Sequence, residues 1–216
     1  MGNPRRLGEI AQTLKPNPRA MEKAVADFLQ AAGFSLEHSE LQKTPQRVTQ
    51  MWLENFLDGY ACSPRQLLEE RFPSPGREGQ MVLVHHLRFH SMCPHHLLPY
   101  EGYAHMAYVP SESIAGFGQL AAVLAGFAHR LSLQEDVAKN IAQALWTQLD
   151  AQGAACILQA RQCCLRLRRP GCVDAWTHVE AYEGTFKTEK SWQEALWLRI
   201  NSRPEPLGCA SEPSCL

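Results

Sequence analysis

Residues 81–110 of this chain read MVLVHHLRFHSMCPHHLLPYEGYAHMAYVP. The runs MVLVHHLRFH and GYAHMAYVP have the short, β-rich character of strands, and SMCPHHLLPYE joins them. Downstream, GQLAAVLAGFAHRL sets Leu120, Val123, Leu124, Phe127 and Leu131 at helical spacing, and DVAKNIAQALWTQL does the same with Val137, Ile141 and Leu145. ACILQARQCCLRLR and AWTHVEAYEGTF then read as two more strands, and a last helix is expected around Trp192 to Leu198. Two strands, two helices and two strands predict an α+β fold: an antiparallel sheet with helices on one face. No internal repeat is evident.

Upstream of the strands, PRAMEKAVADFLQAAGF places Met21, Val25, Phe28 and Leu29 on one helical face that ends at Gly33. A second helix is expected from Thr44-Pro45, with Val48, Met51, Trp52 and Phe56 as its apolar face and Gly59 as its stop. PSPGREGQ, residues 73–80, reads as a turn-rich linker. The expected organisation is an N-terminal arm and helix over 1–42, a main domain over 43–200, and a polar tail over 201–216 with the composition of disorder.

The composition is that of an ordinary soluble globular chain, 45% hydrophobic and 20% charged, with a formal net charge of -1. No global field favours nucleic acid or an anionic membrane, so neither is expected as a partner. No apolar run reaches the length of a membrane helix, and MGNPRRLGEIAQTLKP lacks the apolar stretch of a secretory signal. Arg6 stands where a myristoylation signal wants Ser or Thr. A cytoplasmic protein is expected. Eight cysteines are many for that compartment, which favours metal ligation by a subset over a disulfide framework.

Cys93-Pro94-His95-His96 offers such a subset, because a thiolate and an imidazole three residues apart can bind one zinc ion. A third ligand is expected from Cys163 or Cys164. Read as a strand, that segment turns the two cysteines to opposite faces, and periodicity does not choose between them. Three protein ligands leave a fourth position for water, the arrangement of a catalytic zinc. His85, His86 and His90 read as surface or packing residues, and His105 as structural.

The string SMCPHHLLPYEGYAHMAYVP resembles the zinc loop of the GTP cyclohydrolase I family, S-M-C-E-H-H-L-L-P-F followed by G-x-x-H-I-A-Y-I-P. RLSLQEDVAKNIAQAL is similar to the family's R-L-Q-x-Q-E-x-x-T-x-Q-I-A-x-A, and KTPQRV to its K-T-P-x-R-V. The resemblance runs in order from Lys43 to about Leu198. It implies a tunnelling fold (T-fold) that assembles into a ring-based homo-oligomer, with a decamer as one form to expect. It also implies hydrolytic opening of the imidazole ring of GTP, release of formate and rearrangement to dihydroneopterin triphosphate. Carried over residue by residue, Cys93, His96 and Cys164 fall on the ligands of a Zn2+ ion, and His95 on a histidine that transfers protons. Gln134 and Glu135 fall on the pair that holds the guanine edge, and Arg168 and Arg47 on contacts to the phosphate end.

The departures from the family pattern gather at the site. Gln162 stands at the position of a second catalytic histidine, and an amide does not shuttle protons near neutral pH. The family's G-L-S-K-x-A-R is here Gly116-Phe117-Gly118-Gln119-Leu120-Ala121-Ala122, without its serine, lysine and arginine. Pro94 replaces a glutamate and Glu183 an arginine. Two readings follow. One is a hydrolase acting on a purine nucleotide, nucleoside or base; the other is a catalytically impaired paralogue that binds zinc and a purine or pterin in a regulatory or scaffolding role.

Overall fold

The computed structural model describes residues 15–61, 63–74 and 79–202. The expected arm before residue 15, the middle of the 73–80 linker and the tail from 203 onward lie outside the described residues, as do Cys62, Cys209 and Cys215.

Four antiparallel strands, β2 (Val82–Met92), β3 (Pro99–Val109), β5 (Gly153–Gln162) and β6 (Thr177–Gly184), form one sheet in the order β2-β3-β5-β6. A two-residue pair, β1 (Phe72–Pro73) with β4 (Ser113–Ile114), lies apart from it. The quoted stretch is therefore a β-hairpin, closed by Cys93 N–H donating to Leu98 O at 3.0 Å and Leu97 N–H donating to Cys93 O at 3.0 Å.

Helices α4 (Phe117–Ala128) and α5 (Gln134–Gln148) connect β3 to β5 and lie on one sheet face. Leu120, Val123, Leu124 and Phe127 of α4 and Val137, Ile141 and Leu145 of α5 bury their side chains there, against Ala104, Met106 and Tyr108 of β3 and Cys156, Leu158 and Ala160 of β5. Each fully buried aliphatic side chain of this layer contributes about 1.5–3 kcal/mol. The other face is greasy at one end only. There Ala107, Val109, Ala155 and Ile157 pack under Phe186 of α7 (Thr185–Thr188) and Leu196 and Ile200 of α8 (Lys190–Asn201).

At the N-terminus, α1 (Pro18–Ala31) is capped by Asn17, whose side chain accepts from Ala20 N–H at 3.1 Å. It packs on α2 (Thr44–Asn55), buries no residue fully and leaves Phe28 71% exposed. The chain then runs through a 3-10 turn, Asp58–Ala61, and α3 (Pro64–Leu67). Gly59 does not stop α2, which ends at Asn55; it lies inside that turn, where a Cβ would meet His129 O at 2.6 Å.

A further expectation fails. The run 155–168 is not a continuous strand: β5 ends at Gln162, and Cys163–Arg168 form a short helix, α6. Gln162 pairs with Tyr100 of β3, beyond which only Pro99 remains, and proline has no N–H to offer a ladder. A segment without a partner strand satisfies its backbone by turning helical.

Candidate metal centre and cavity

The hairpin loop 93–98, the start of α5 and the β5–α6 junction surround a cavity of about 490 Å³. Cys93, His95 and His96 line it from the loop, Ser132 to Glu135 from the approach to α5, and Gln162, Cys164 and Leu165 from the junction. Tyr100 and the β6 residues Thr177, His178 and Val179 complete the wall.

The ligand atoms of Cys93, His96 and Cys164 all lie within 4.8 Å of one another. Cys164 joins the group because the chain turns at Gln162; strand alternation plays no part. Cys93 Sγ and His96 Nδ1 are 3.8 Å apart. A tetrahedral zinc with ordinary Zn–S and Zn–N bonds separates such atoms by about 3.6 Å, so the donor set fits that ion in spacing and in chemistry. Burial and the neighbouring Cys93 both raise the Cys164 thiol above its ordinary pKa. A cation between the two sulfurs would reverse that penalty, since a coordinating thiol is deprotonated.

His96 Nε2 accepts from Arg168 Nη1 at 2.5 Å, which places Arg168 at the rim on α6. His95 is exposed beside it, the two imidazole centroids 6.3 Å apart. Glu135 is exposed in the first turn of α5, where the helix dipole favours a negative charge. Arg47 is not brought to the cavity: it is exposed on α2, which packs against α1 and the 3-10 turn.

Gln134 and Gln162 turn out to bond each other. Gln134 is 3% exposed, and its amide is used in full. Its Nε2 donates to Leu158 O (2.9 Å) and Thr177 O (3.2 Å), while its Oε1 accepts from Gln162 Nε2 (2.9 Å) and Thr177 Oγ1 (2.6 Å). Sequence reasoning missed Thr177 and also Tyr100, whose hydroxyl donates to Ser132 O at 3.1 Å and is held protonated by burial. A buried polar residue on an apolar strand was the available signal for Tyr100; for Thr177 there was none.

The missing lysine of the 116–122 segment also has a structural counterpart. Gln119 stands in its place, accepting from Gly116 N–H at 2.7 Å to cap α4 and donating to Glu70 O at 2.8 Å. No helix among the described residues is long and apolar enough to cross a membrane.

Comparison with known proteins gives a consistent result. The family model of GTP cyclohydrolase I matches residues 21–201. The chain is 39% identical to GTP cyclohydrolase 1 of Chromobacterium violaceum over 170 residues, 79% of this chain and 82% of that one. It is 34% identical to GTP cyclohydrolase 1 of Campylobacter jejuni over 185 residues, 85% of this chain and 96% of that one. Among solved structures, an archaeosine synthase QueF-Like in the apo form aligns with 50% of this chain and 96% of its own, at TM-score 0.40 and 14% identity. With a family match over most of its length and relatives above 30% identity, this chain belongs to the GTP cyclohydrolase I family.

Proposed function

We propose that the chain is a zinc-dependent hydrolase that opens the imidazole ring of GTP, or of a guanine compound with fewer phosphates, in the cavity beside Cys93. The observation that carries this reading is the convergence of Cys93, His96 and Cys164 on the cavity that Glu135 also lines. Zinc held by those three residues would supply a Lewis acid and a bound water of lowered pKa.

The chain's own residues do the rest. The Glu135 carboxylate accepts hydrogen bonds from the ring N–H and exocyclic amine of the guanine edge. His95 delivers a proton to the purine N7 as the ring opens. Gln134, with its amide committed to β5 and β6, acts by holding Gln162 and the cavity wall in place. Were His96 to hold the ion through Nδ1, the nitrogen that faces Cys93 Sγ, its Nε2 would carry the proton and would no longer accept from Arg168. The guanidinium would then be available to a phosphate, for which its planar fork is suited. Arg47 reaches that phosphate only from a second copy of the chain, in keeping with a ring-based homo-oligomer; the compartment proposed is the cytoplasm.

A second reading, a binding or scaffolding paralogue without turnover, is favoured by Gln162, which offers no titratable proton where the family has histidine. One experiment separates them. Zinc-loaded protein is incubated with GTP, GDP, GMP and guanosine while formate and pterin fluorescence are followed. Formate release from any of the four supports the hydrolase. Tight guanine binding without formate supports the second reading.

A further inference from the structure

A second group of nitrogen donors lies outside the cavity. The ligand atoms of His85, His86 and His105 fall within 4.8 Å of one another, as do those of the Cys93 cluster. Their convergence follows from an irregularity in the β2–β3 ladder. Val84 pairs with Met106, but the next paired residue, Leu87, faces Ala104. Two residues of β2, His85 and His86, thus stand against one residue of β3, which is His105.

Regular alternation would send adjacent side chains to opposite faces. The bulge cancels that rule, since an inserted residue re-aims the side chains beside it. Val84 and Leu87 both pack toward the helix layer, while Leu83 packs toward α8. The residue that makes up the difference is His86, held at φ 59. Positive φ in a non-glycine residue carries strain, and such strain concentrates at functional sites.

The donors are in a state that suits a ligand set. His85 Nδ1 and His86 Nδ1 are 2.8 Å apart, and His86 N–H donates to His105 Nδ1 at 3.3 Å. Two imidazole nitrogens on one tetrahedral zinc stand about 3.3 Å apart, so a small opening of the pair admits the ion. His105 is fully buried and its Nε2 has no hydrogen-bond partner, an arrangement that costs free energy.

We propose that His85, His86 and His105 form a second metal site, an all-imidazole centre for a divalent transition ion, separate from the cysteine-containing one. Three imidazole donors select Zn2+, Ni2+ or Cu2+ over hard cations such as Mg2+ or Ca2+. The remaining coordination position goes to water or to an exogenous ligand.

The test counts metal in the full-length chain after chelation and dialysis against Zn2+. Wild type is expected to hold about two ions per chain, Cys164→Ala about one, His86→Asn about one, and the double variant none. Asparagine tolerates positive φ, so His86→Asn keeps the bulge; His85→Gln serves as a second variant that leaves residue 86 untouched and is also expected to hold about one. Co2+ added to Cys164→Ala should give ligand-field absorption without a thiolate charge-transfer band. The proposal is overturned if both histidine variants keep the wild-type count, or if wild type holds a single ion that Cys164→Ala loses. Should the cysteine site fail instead, Cys164→Ala keeps the wild-type count and the histidine variants still lose an ion. The two sites therefore fail separately.

Discussion

The two donor clusters are built by different means. Cys93, His96 and Cys164 come from a hairpin loop and a helical turn, where the backbone bonds are local and two of the side chains reach solvent. His85, His86 and His105 come from paired strands, fixed in place by the β2–β3 ladder and by the core beneath it. A loop-built cluster can change its chemistry without disturbing the fold. A sheet-built cluster inherits the stability of the sheet.

The largest test of that contrast is Cys164→Ala. Activity on GTP should drop to background, while the unfolding midpoint of the metal-free protein stays within the roughly 0.5 kcal/mol typical of substitutions outside the core. A large loss of metal-free stability would show that the β5–α6 junction carries the fold after all. Next comes Met106→Ala, in the sheet core at 1% exposure. Removing that side chain should cost about 2–5 kcal/mol in a denaturant titration. Metal bound through Cys93 and Cys164 should remain, since those residues stand at the Pro99 end of β3, several ladder positions from 106.

A smaller effect is expected from Glu135→Ala, read by calorimetric titration with a guanine nucleotide. Two charge-assisted hydrogen bonds are lost, for a fall in affinity of about a hundredfold, with zinc content unchanged. Unchanged affinity would remove Glu135 from the site. The smallest effect concerns Gln162→His. Restoring a titratable group should raise pterin formation from GTP by about tenfold, at the low end of general acid–base contributions because the imidazole must share Gln134 with Thr177. No rise would mean that the 116–122 segment, not residue 162, limits the reaction.

The same contrast governs what could be read from the sequence. Helices α4 and α5 announced themselves through Leu120, Val123, Phe127, Val137 and Ile141, because a stripe of apolar residues at 3.6-residue spacing has one physical cause. The Cys-x-x-His pair was legible for a similar reason, both donors lying within one turn of chain. Cys164 was legible only as a cysteine. Its placement depends on where β3 runs out of hydrogen-bonding partners, which is a property of Pro99 some sixty residues earlier. The histidine cluster was hidden in the same way: His85 and His86 look like alternating surface residues until the ladder slips by one. The bonds of Gln134 to Leu158, Thr177 and Gln162 join three elements distant in sequence, and no local pattern encodes them.

Those bonds have a mechanical meaning. One amide bolts the start of α5 to β5 and β6, so three sides of the cavity behave as a single stiff plate. The hairpin loop 93–98, held by two backbone bonds between Cys93 and residues 97 and 98, and the short helix 163–168 form the compliant side. A ligand that needs more room than the resting cavity offers must take it from there. Both segments also carry the candidate metal donors, so a ligand admitted there would shift the residues proposed to hold the ion.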